Sequence, residues 1–96
     1  VIRRQREKDG RVRITFAVSD PRPVSLVCDR NAWDPYAHPL VRRSNGTRSC
    51  ALVVEEGAAV RFRYLADGGE FYDDPGADAV EHNGMGGTHT VVVARL

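Results

Sequence analysis

Long apolar runs are missing from this sequence, where unbroken stretches of apolar side chains extend only a few residues. That excludes a bilayer-crossing helix, which needs about 20. Cysteine is scarce: Cys28 and Cys50 are the only two, 22 positions apart. Two are too few for a disulfide scaffold and wrongly spaced for a zinc site, so both read as buried, reduced thiols. Charge of one sign does not dominate either, with 14 basic and 13 acidic side chains and a net charge of +1. The three histidines, His38, His82 and His89, are scattered, and none is spaced for a shared metal on a helix. There is no Gly-x-Ser-x-Gly elbow. Gly84-Met85-Gly86-Gly87 reads as having no strand before it and no helix after it, so it is no phosphate loop. Asp73, Asp74 and Asp78 miss the spacing of a calcium loop and read as solvated turn residues. A non-catalytic chain without cofactor or metal is the expectation. No signal-peptide pattern opens the sequence, which favours a cytoplasmic location.

What is present has a period of two. At 96 residues, 42% of them apolar, the chain has room for one domain with a thin core. Val12, Ile14, Phe16 and Val18 alternate with polar residues, as do Val60, Phe62 and Tyr64 with Arg61 and Arg63. Strands are expected over 11–18, 24–28, 40–43, 48–54, 60–65, 70–72 and 88–94. Asn45-Gly46 forms a hairpin turn, which takes precedence over reading Asn45-Gly46-Thr47 as a glycosylation acceptor. Long loops are expected at 29–39 and 73–87. No window carries a helical stripe. Seven or eight short antiparallel strands with frequent turns imply an all-β, immunoglobulin-like (early-set) β-sandwich over residues 11–96. Residues 1–10 read as a basic, solvated leader. Positions 1–13 hold six bases against two acids, while 67–81 holds six acids and no base. The basic stretch lacks interleaved aromatics, so nucleic acid is not expected as a partner, nor is a membrane. Exposed edge strands in so small a sandwich fit a monomer or a weak homodimer.

The seven aromatics are the informative minority. Phe16, Phe62 and Tyr64 fall on core-facing strand positions. Trp33 and Tyr36 sit instead in the polar loop Asn31-Ala32-Trp33-Asp34-Pro35-Tyr36, and Phe71 and Tyr72 lie beside a glycine turn. Large rings in loops are either lids on a thin core or surfaces for a partner.

At Asn31-Ala32-Trp33-Asp34-Pro35 the chain resembles the glycogen-binding and isoamylase early (N-terminal) domains of carbohydrate-binding module family 48, above all the short stand-alone bacterial ones of actinobacteria. The ordered set continues with Phe62-Arg63-Tyr64-Leu65-Ala66-Asp67-Gly68, Phe71, Asp74-Pro75 and the Gly86-Gly87 turn before the valine strand. The resemblance spans about residues 10–95. It implies non-catalytic binding of α-1,4-glucan, as glycogen or maltooligosaccharide, or the company of a glucan-active enzyme in carbohydrate metabolism. It implies Trp33 as one aromatic platform and Phe71 as the second, where the family usually has Trp. Arg63 stands for the family's Lys, Asn31 for the loop Asn, and Thr90 for a sugar-binding Asn. Ala32 replaces the usual Gly before the tryptophan. The alternative is a structural or protein-interaction sandwich that has lost sugar binding; a glucan-active enzyme ranks last.

Overall fold

The computed structural model describes residues 1–82 and 87–96. The Met85 stretch, with Gly86 of the expected turn, lies outside the described residues. Among the described residues there is no helix, hence none long and apolar enough to cross a membrane.

Among the described residues nine strands form two antiparallel sheets. They are β1 (Ile2–Arg6), β2 (Val12–Val18), β3 (Val24–Cys28), β4 (Val41–Arg42), β5 (Arg48–Val54), β6 (Ala59–Ala66), β7 (Glu70–Tyr72), β8 (Ala79–His82) and β9 (Thr88–Val93). The first sheet runs β1-β2-β5-β4. The second runs β3-β6-β9-β8, with β7 also paired to β6. The alternation in the sequence is the cause: one face of each sheet is apolar and the two faces close on each other. Val12, Ile14 and Phe16 meet Leu26, Val60, Phe62 and Tyr64 there, all fully buried. The Phe16 and Phe62 rings lie 4.9 Å apart and tilted, bringing the two sheets into contact. Cys28 and Cys50 are both free thiols, Cys28 buried and Cys50 partly so. Burial pushes both up, Cys50 to about 12 with Cys28 nearby adding to the rise, so both stay protonated at neutral pH.

Three expectations need correction. The basic stretch is not a solvated leader, because Ile2–Arg6 is a full edge strand in register with β2, Ile2 opposite Phe16 and Arg6 opposite Val12. Two of its three arginines are held: Arg4 donates to Val93 O and Asp78, and Arg6 to Glu56. The 73–87 loop contains β8, which pairs β9 with Val80 opposite Thr90 and so precedes the glycine run with a strand. Asp74 is no solvated turn residue. It is buried, accepts from the Tyr64 hydroxyl at 2.6 Å and from Gly76 N–H at 2.8 Å, and so ends the β7 segment against the core.

Candidate functional site

The second sheet has an outer face as well as a core face, and the sheet register lays it out in rows. Val27 lies opposite Arg63 across β3 and β6, and Ser25 opposite Leu65. β9 and β7 follow one another along the other side of β6, with Arg61 opposite Val91 and Leu65 opposite Phe71. Side chains two apart on a strand share a face, so Ser25, Val27, Arg61, Arg63, Leu65, Phe71, His89 and Val91 all point outward. Val27 shows the consequence. It is only 3% exposed, yet it is not part of the cluster between the sheets, so it is covered on the outside.

The cover includes Trp33. After β3 the chain turns sharply, with Trp33 N–H donating to Cys28 O at 2.8 Å and Asn31 N–H to the same oxygen at 3.2 Å. Asn31 fixes this turn through its side chain. Its Oδ1 accepts from Cys28 N–H, its Nδ2 donates to Leu26 O, and Nδ2 lies 2.8 Å from His38 Nδ1. Ala32 and Trp33 are both left-handed, at φ 57° and 59°, a conformation that costs a residue with a Cβ about 1 kcal/mol or more. The turn brings the Trp33 ring to 5.8 Å from the His89 ring. Trp33 keeps 40% of its surface exposed and Phe71 keeps 48%.

Val27, Trp33, Arg63, Phe71, Thr88 and His89 line one shallow depression of about 340 Å³. The Arg63 guanidinium stands 5.4 Å from the centre of the Phe71 ring and donates through Nε to Asp73 at 3.0 Å, and its terminal N–H groups have no hydrogen-bond partner among the described residues. Glu81 accepts from Arg61 at 2.7 Å and lies 3.2 Å from His89 Nε2. The Arg61 hydrogen bond, then that of His89, holds the Glu81 carboxyl below the usual carboxylate range. This fixes one side of the His89 ring, and the residue lines the depression. Two flat rings, a partly free guanidinium and an imidazole edge suit a neutral guest with apolar faces and hydroxyl rims. Among the described residues no group of three His, Cys, Asp or Glu side chains converges as a metal site would require.

Three of the five expected site residues, Trp33, Arg63 and Phe71, thus line the same depression. The other two do not. Asn31 spends its amide on the turn. Thr90 is 1% exposed, faces the core and donates its hydroxyl to Phe62 O at 2.8 Å. Its neighbour His89 faces outward in its place. The run Val91-Val92-Val93 hides the phase of this strand, because all three are apolar although only Val92 joins the cluster between the sheets. Counting back from Val92 by twos through Thr90 would have put His89 on the other face.

No family model matches the sequence, and no curated protein matches it.

Proposed function

We propose that this chain is a non-catalytic binding module for α-1,4-glucan, glycogen or maltooligosaccharide, with Trp33 and Phe71 as its platforms and Arg63 and His89 as its hydroxyl partners. The observation that carries the reading is the convergence of two half-exposed rings and Arg63 on one depression of the outer face. A glucose ring presents C–H groups on its faces and hydroxyls around its rim. The rings take the faces, and the guanidinium and imidazole take the rim. The depression is open and shallow, which suits holding a sugar rather than excluding water from a reaction. One full ring, one smaller ring and a few exposed hydrogen bonds give about 4–6 kcal/mol, a Kd from about 1 mM to tens of μM.

Trp33 is the only tryptophan, so its fluorescence reports on this site alone. Titration with maltoheptaose is expected to give a saturable shift, with a cellooligosaccharide of equal length giving none. Loss of glycogen retention in a folded Trp33→Ala variant is the matching expectation. No shift at millimolar maltoheptaose, or undiminished retention by Trp33→Ala, refutes the assignment and leaves the sandwich as a protein-docking domain.

A further inference from the structure

A second shallow depression lies beside the first. It measures about 290 Å³, and Pro23, Ser25, Pro35, Tyr36, Leu65 and Gly68 are among the residues that line it. Tyr36 is 87% exposed, the most exposed aromatic of the chain. Its side chain makes no hydrogen bond or ring contact with the described residues. Its backbone is nevertheless tethered, because the Tyr36 N–H donates to Asp34 Oδ1 at 2.8 Å and Ala37 N–H donates to Asp34 O. Just beyond, Leu26 N–H ties His38 O back to β3.

The two depressions are joined by the sheet register. Leu65 and Phe71 are cross-strand partners, and one lines each depression. Val27 and Arg63 form the row of the first, Ser25 and Leu65 that of the second. Consecutive rows on one face are about 7 Å apart. Trp33 and Tyr36 come from the same tethered loop, one over each row. The second depression has Asp67 as its only charged lining residue. Proline, glycine, serine and an unpaired phenol do not suit an ionic guest; they suit the next sugars of a neutral chain already seated on Trp33 and Phe71.

We infer that Tyr36 and Leu65 form a second sugar subsite, so that the outer face is a continuous track that prefers longer α-glucans. This rests on the reading of the first depression as a glucan site, and the test separates the two. Affinities for maltotriose and maltoheptaose are measured by the fluorescence of Trp33 in the wild type and in Tyr36→Ala, whose exposed ring is not needed for folding. The wild type is expected to bind maltoheptaose more tightly. Tyr36→Ala is expected to lose about five- to tenfold in affinity for maltoheptaose, the value of one stacked ring, and to leave maltotriose unchanged. Undiminished maltoheptaose binding, or an equal fall for both sugars, overturns the subsite while the first site stands. Absence of binding by either sugar in the wild type overturns both.

Discussion

At the scale of single residues, the turn that carries Trp33 is under tension. Two consecutive residues with Cβ atoms occupy the left-handed region, which glycine enters freely. Asn31 and the two N–H donors to Cys28 O hold them there. Replacing Ala32 by glycine removes one of the two penalties, offset in part by the greater freedom glycine has in the unfolded chain. Ala32→Gly is therefore expected to raise stability by up to about 1 kcal/mol in urea unfolding, with the Trp33 emission unchanged. A destabilised variant would mean that the Ala32 methyl makes contacts worth more than the strain. Legibility divides along the same line. The exposure of Trp33 and Phe71 and the outward direction of Arg63 were readable because a ring in a loop or beside a turn, or a charge on the outer phase of a strand, declares itself; that the three belong to one site was implied only by the resemblance. His89 and Thr90 were not readable, since three successive valines erase the phase that assigns a face. Asn31 was readable as important but not in its role, because an amide in a loop serves a turn or a ligand equally well.

At the scale of elements, the long strands were legible, and so were the edge strands β3 and β4, but the edge strands β1 and β8 were not. β2, β5 and β6 alternate over seven or eight residues, enough to fix type and face. β1 offers Ile2 as its one apolar residue and then arginines, so nothing in its composition separates a strand from a solvated arm. Tertiary pairing decides it: β2 presents a free ladder and β1 leads into it through a tight turn, with Glu7 N–H bonded to Arg11 O. The alternation of hydrogen bonds then gives a sharp test. Ala17 N–H donates to Val1 O, so the amides of Arg13, Thr15 and Ala17 point to β1, while those of Ile14 and Phe16 point to β5. Proline at position 5 removes a ladder donor. In Gln5→Pro, hydrogen exchange is expected to accelerate at Arg13, Thr15 and Ala17 while Ile14 and Phe16 stay protected. Gln5→Ala is expected to leave all five unchanged. Equal acceleration at all five would show that β1 and the sandwich open as one unit, and no acceleration would show that the strand tolerates the lost donor.

At the scale of the whole molecule, the split charge of the sequence closes on itself. Four of the six acids of 67–81 meet arginines from elsewhere, Glu70 with Arg22, Asp73 with Arg63, Asp78 with Arg4 and Glu81 with Arg61, and Asp74 meets the N-terminal ammonium. The basic end is likewise committed, with Arg6 to Glu56, Arg11 to Asp9 and Arg13 to Glu7. Among the described residues Arg3, Lys8, Arg42, Arg43, Arg48 and Arg95 stand outside these ion pairs. The pairing also sets the response to acid. The Arg22 side chain holds Asp20 down to about 2. The Arg11 backbone N–H and side chain lower Asp9, the Arg6 side chain lowers Glu56, and the Arg61 side chain lowers Glu81. Each carboxyl is more acidic folded than unfolded, where values near 4 apply. Between those two values the unfolded chain binds more protons than the folded one, so stability rises with pH across that interval and is complete above it. The melting temperature is expected to be flat from neutral pH to about 5 and to fall as pH drops from about 4 toward about 2. Raised salt at neutral pH is expected to shift it in the same direction by weakening the same pairs. A melting temperature that holds steady down to pH 2 would mean that the pairs form as well in the unfolded chain as on this surface, and that the sandwich stands on its apolar faces alone.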